Sequence, residues 1–135
     1  MSTELETIRG QLKSLKLLAL EKVIDRELAR AEKENLELTQ AFSRLLALQI
    51  QAVTERRIER RIRESKLPER KLLADFDFDF QAGVDRRQIR SLASLAFVER
   101  NQGIIFAGNS GTGKSHLAKA LMLLACQRLY RCRYT

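Results

Sequence analysis

Apolar residues recur at steps of three and four through most of the first 67 residues. Leu5, Ile8, Leu12 and Leu15 form one series, and Leu17, Leu20, Ile24 and Leu28 the next. That spacing places each series on one face of an α-helix, so residues 3 to 67 read as helical. Asn35 and the Leu-Glu-Leu after it interrupt the pattern. Thr39 is the predicted N-cap of the next helix, because its hydroxyl can accept a free backbone N–H. A long helix then runs through Phe42, Leu45, Leu46, Ile50, Val53, Ile58 and Ile62. Pro68, the only proline, ends it by steric clash with a continuing helix.

The period changes after Pro68. Asp75-Phe76-Asp77-Phe78-Asp79-Phe80 alternates strictly, which in an extended segment puts Phe76, Phe78 and Phe80 on one side. An edge strand or an anchoring loop on a core accounts for this; a metal site from the aspartates lacks a supporting ligand pattern. Helical spacing returns at residues 84 to 100 through Val84, Ile89, Leu92, Leu95 and Val98. Gly103-Ile104-Ile105-Phe106-Ala107 is short, apolar and β-branched, and reads as a buried parallel strand. His116 to Ala125 reads as a helix again. The expected fold class is therefore α/β: an N-terminal helical region followed by a strand–loop–helix unit.

The loop between that strand and helix carries the chemistry. Gly108-Asn109-Ser110-Gly111-Thr112-Gly113-Lys114-Ser115 fits G-x-x-x-x-G-K-[ST], the phosphate-binding Walker A pattern. Glycines at 108, 111 and 113 let the backbone approach an anion closely. The loop's N–H groups form a concave nest, and the helix beginning near Lys114 adds its positive end. Lys114 is expected to reach the β- and γ-phosphates of a nucleoside triphosphate, and the Ser115 hydroxyl to ligate Mg²⁺. His116 reads as a helix-surface residue.

Charge adds a second candidate surface. The formal net charge is +8 and the pI about 10.0, which points to a polyanionic partner. The excess concentrates at Arg56, Arg57, Arg60, Arg61 and Arg63, with Lys66, Arg70 and Lys71 beyond. Such a run is either a solvated, salt-bridged face, with Glu59 and Arg63 as an i,i+4 pair, or a phosphate-contacting surface. Cys126 and Cys132 match no zinc spacing, and one histidine cannot complete a site. They read as reduced thiols, and the acidic N-terminus lacks a signal peptide's apolar segment, so a cytoplasmic protein is expected. No apolar run approaches the ~20 residues of a membrane span.

Several motifs occur together in order: Leu15-Lys16-Leu17, the long basic helix, Lys66-Leu67-Pro68, the Phe-Asp-Phe segment, and Gly111-Thr112-Gly113-Lys114-Ser115-His116-Leu117-Ala118. Along essentially its whole length the chain resembles the IstB-like insertion-sequence helper ATPases, AAA+ relatives of the DnaC helicase loaders. The resemblance implies ATP as the nucleotide, DNA and the transposase of the same element as partners, and self-association. It implies a DNA- or partner-binding helical region at 1–67, a lead-in at 68–101, and an ATP-binding P-loop domain at 102–135. Family members often carry a glutamate and an arginine in the middle of the long helix, where this chain has Gln49 and Val53. Leu129 to Tyr134 reads as the start of a second core strand. The Walker B carboxylates, polar sensor and trans-acting arginine of the family lie further on, so the resemblance implies a truncated member without catalytic residues of its own. A DnaC-like replication helper and a non-enzymatic DNA-binding remnant are the alternatives.

Overall fold

The computed structural model describes residues 3–79, 81 and 83–135. Its elements are α1 (Thr3–Ser14), α2 (Leu18–Lys33), α3 (Leu38–Ser65), a single 3-10 turn (Leu73–Asp75), α4 (Arg86–Ala93), α5 (Ala96–Glu99) and α6 (Lys114–Gln127). The chain divides into two compact units, Met1–Arg56 and Arg57–Thr135.

Four helices, α1, α2, α5 and α6, end in a common way. Lys16, Asn35, Asn101 and Leu129 take left-handed conformations, with φ of 59°, 54°, 54° and 65°. Each lets the next N–H reach back five residues: Leu17 to the Leu12 carbonyl at 2.8 Å, Leu36 to Ala31 at 3.0 Å, Gln102 to Phe97 at 2.9 Å, and Tyr130 to Ala125 at 2.9 Å. These bonds satisfy carbonyls that the last helical turn leaves free. The break between α1 and α2 is of this kind. It carries neither glycine nor proline, so apolar spacing alone runs straight through it.

In the first unit, Leu12, Leu20 and Ile24 form the core, enclosed by Leu5, Ile8, Leu17, Val23, Leu28 and Leu45. Of the series expected along α3, Leu45 reaches this core, while Phe42, Leu46 and Ile50 are exposed. The helix also begins one residue before Thr39, which lies in its first turn instead of capping it. The Gln40 Oε1 accepts the Glu37 N–H at 3.3 Å, the return half of a capping box.

Gln49 explains how α2 is started. Leu17, its N-cap residue, offers no side-chain bond. The buried Gln49 instead accepts the Leu20 N–H at 3.0 Å from α3. Gln49→Ala leaves that N–H without its partner, and we expect a loss of about 1–3 kcal/mol. A urea unfolding midpoint equal to that of the wild type would contradict this.

In the second unit, the end of α3 lies against α6. Ile62, Leu123 and Cys126 are buried together, flanked by Ile58, Leu67 and Cys132. Both cysteines are free, and burial, with Cys126 alongside, pushes the Cys132 thiol up to about 11. A second cluster joins Phe76, Ile89 and Leu117, bordered by Leu73, Phe78, Val84, Leu92 and Phe106. α4 is capped by Asp85, whose carboxylate accepts the Arg87 N–H at 2.9 Å. Leu95, left-handed and buried, separates α4 from α5 within the stretch expected as one helix.

The α/β expectation is corrected: among the described residues there is no strand and no sheet. A strand exists only when its N–H and C=O groups pair with a neighbour, and β-branched side chains do not supply one. Residues 103–107 keep the alternation of an extended chain with one covered side. Ile104 and Phe106 are half-buried while Ile105 is 93% exposed. The second expected strand is absent as well. Leu129 closes α6, and the Tyr134 N–H bonds the Ser65 carbonyl at 2.7 Å. The Phe-Asp-Phe segment is an anchoring loop. The Asp77 carboxylate accepts the Asp79 N–H at 3.0 Å and turns the chain. Phe80 lies outside the described residues.

Candidate nucleotide-binding loop

Residues 108–113 lead directly into α6, which starts at Lys114 with Gly113 as its N-cap. Gly111 and Gly113 have φ of 79° and 85°, a region that strains any side chain with a Cβ. The Thr112 hydroxyl donates to the Asn109 carbonyl at 2.8 Å and ties the loop across its width. The Lys114 ammonium folds back on the loop, donating to the carbonyls of Gly108 and, at 2.9 Å, Asn109. Gly108, Asn109, Ser110, Gly111 and Ser115 are exposed, and Thr112, Gly113 and Lys114 half-buried. Around them lies an open cavity of about 420 Å³ lined by Ser110 to His116.

This arrangement suits an anion. The Leu117 N–H bonds the Gly113 carbonyl at 3.0 Å and so closes the first helical turn. The N–H groups of Lys114, Ser115 and His116 precede it, as donors do at every helix start. The helix dipole and the Lys114 charge add attraction from the same end. A phosphate group fits the charge of this end, with the first N–H groups of α6 and the Lys114 ammonium as donors. Ser115 offers one hydroxyl, the kind of single protein ligand that Mg²⁺ accepts when phosphates supply others. No group of three or more His, Cys, Asp or Glu that could hold a metal ion occurs among the described residues.

The loop is held from outside by the segment before α4. Phe76, 8% exposed, meets Phe78 edge-on with centroids 4.8 Å apart and His116 edge-on at 5.5 Å. The His116 Nε2 lies 2.9 Å from the Leu72 carbonyl. Gln81 Nε2 donates to the Gly111 carbonyl at 3.1 Å. Lys119 donates to Glu69 at 3.0 Å, and Lys119, then Lys71, hold the Glu69 carboxyl below its usual range. Phe76, Gln81 and His116 were not singled out for this part by their sequence. The Phe-Asp-Phe alternation marks the segment as anchored, but it does not say against what.

The arginines of α3 differ among themselves. Arg56, in the first unit, and Arg57, Arg60 and Arg63, in the second, are exposed and have no ion-pair partner among the described residues. Arg61 is committed elsewhere, donating to the Leu129 carbonyl at 3.3 Å and lying 3.6 Å from Glu64. Glu59 forms no salt bridge with Arg63, whose charge acts on it only at longer range. Arg70 takes it with two bonds, of 2.9 and 2.7 Å, and depresses its pKa.

With the loop's geometry established, the comparisons with known proteins decide the family. The profile described as IstB-like ATP binding protein matches residues 10–135. The chain belongs to this family. Relatives include a Pseudomonas aeruginosa protein named for insertion sequence IS21 and ATP binding, 38% identical over 95% of this chain and 47% of its own length. A Geobacillus stearothermophilus protein named likewise for IS5376 is 40% identical over 75% of this chain and 40% of its length. A Bacteroides fragilis relative is 29% identical over 88% of this chain and 60% of its length. The chain thus spans about half the length of the IstB-like relatives it matches. No helix among the described residues is long and apolar enough to cross a membrane.

Proposed function

We propose that this chain binds ATP through residues 108–115, as the phosphate-binding part of an IstB-like protein that assists transposition of an insertion sequence. The observation that carries the reading is the loop itself: two left-handed glycines, a lysine and a helix start within eight residues. The relatives' names, which join ATP binding to insertion sequences, support it. ATP brings a triphosphate whose negative charge the loop neutralises. Loop N–H groups orient it, and Lys114 exchanges its two carbonyl partners for phosphate oxygens. Ser115 supplies the protein ligand for Mg²⁺. We expect Lys114→Ala to weaken ATP binding about 10- to 100-fold, the worth of a charge-assisted hydrogen bond of about 1.5–3 kcal/mol. Displacement of a fluorescent ATP analogue measures this, and equal affinity for both proteins would refute the assignment.

The same reading takes 1–67 as the DNA- or partner-binding region, 68–101 as the lead-in and 102–135 as the nucleotide-binding part. The partners are DNA, the transposase of the same element and further copies of the protein, in the cytoplasm. The unpaired Arg56, Arg57, Arg60 and Arg63 support the DNA contact, whereas Arg61 is tied to Leu129. Replacing Arg57, Arg60 and Arg63 by glutamine is expected to weaken duplex DNA binding irrespective of sequence. The slope of log affinity against log salt should become shallower by about three. An unchanged slope would place the DNA contact elsewhere.

A further inference from the structure

Gly113 has no room for a side chain, and the reason is one ring. A Cβ built on it would fall within the van der Waals envelope of Phe76 Cε2 and 3.2 Å from Phe76 Cζ. That ring is hemmed in by Ile89, Leu117, Phe78 and His116. It cannot swing aside without disturbing a buried cluster. Gly113 is also where the loop becomes helix, so the ring bears on the residue that aims the first N–H groups of α6. Two residues upstream, Gly111 is fixed by a second contact from the same segment, the Gln81 amide on its carbonyl. The leading turn of α6 is fixed by a third, His116 on the Leu72 carbonyl.

From this geometry we propose that Phe76 is a positioning residue for phosphate binding, holding Gly113 and hence the loop in its anion-ready conformation. The inference rests on the reading of 108–115 as the ATP site and adds to it a dependence on residues outside the motif. The physical reason is preorganisation. A glycine-rich loop left to itself populates many conformations, and ligand affinity falls in proportion to the fraction that is competent. The Phe76 ring excludes conformations in which the Gly113 backbone moves into the space the ring fills. Gln81 restricts the Gly111 peptide in the same sense. Neither touches the phosphate, so their effect is on affinity through the loop and not on the number of sites.

Calorimetric titration of the full chain with Mg·ATP tests this with Phe76→Leu, Phe76→Ala, Gly113→Ala, the Phe76→Ala/Gly113→Ala pair, and Lys114→Ala. We expect Phe76→Ala to raise Kd about tenfold, and Phe76→Leu less, with stoichiometry unchanged, as for a competent fraction reduced to about a tenth. We also expect Gly113→Ala to lose less affinity in the Phe76→Ala background than in the wild type, because the collision is gone and only the positive φ remains. Strictly additive effects overturn the proposal. So does a fall in stoichiometry at unchanged Kd, which is the mark of lost folding alone. If Phe76→Ala and Phe76→Leu bind as the wild type does while Lys114→Ala binds more weakly, the positioning role is overturned and the ATP site stands. If Lys114→Ala binds as the wild type does, the ATP reading itself is overturned, and this inference with it.

Discussion

Gly113→Ala is expected to be the most damaging single substitution in the loop. Two independent costs meet there. A left-handed conformation at φ 85° strains alanine by about 1–2 kcal/mol. The added methyl also overlaps the Phe76 ring, and overpacking of a closed cluster costs about 1–3 kcal/mol. The protein can relieve either by moving Gly113, but that re-aims the start of α6 and removes the loop from its binding geometry. We therefore expect a lower thermal midpoint together with a larger rise in the Kd for ATP than Lys114→Ala gives. A variant that binds ATP with wild-type affinity would show that the loop geometry described here is not the one that binds.

The second large effect is expected in the helical unit. Ile24 is 2% exposed at the centre of the α1–α2 cluster, with Leu12 and Leu20. Its truncation in Ile24→Ala should cost about 2–5 kcal/mol in lost burial and residual cavity. A core this small supplies about 3–5 kcal/mol in total, so the substitution is comparable with all the stability the unit has. Helical circular dichroism should fall substantially at 25 °C, whereas a wild-type spectrum and melting curve would refute the assigned core. Gln49 lies in the same unit, and its bond to Leu20 N–H should not rescue a helix whose apolar face has been emptied.

How much was legible in the sequence follows from what each signal measures. Apolar spacing reports a helix that buries one side, and it located α1, α2, α3 and α6 well. It does not report left-handed turns made by lysine, asparagine or leucine. The breaks at Lys16 and Leu95 were therefore missed, while that at Asn35 was found. It also overstated the apolar face of α3, because Phe42, Leu46 and Ile50 share its period but not its burial. β-branched composition suggested a strand at 103–107, yet strand formation depends on a partner that composition cannot reveal. The loop was legible residue by residue, since Gly111 and Gly113 have local reasons to be glycine. The supports from Phe76, Gln81 and His116 were not, because each depends on contacts 30 or more positions apart. The arginine run was legible as charge. Only the fold separates Arg61, bound to the Leu129 carbonyl, from its exposed neighbours.

The central claim is that the backbone of residues 109–115 receives the phosphates. Amide chemical-shift mapping of the isotopically labelled chain during titration with Mg·ATP tests it most directly. Phosphate binding in the loop predicts the largest shifts at the amides of Gly111, Thr112, Gly113, Lys114 and Ser115, saturating with ATP and moved to higher ATP concentrations in Lys114→Ala. Shifts centred on the α3 arginines, or no saturable shifts in the loop, would contradict it.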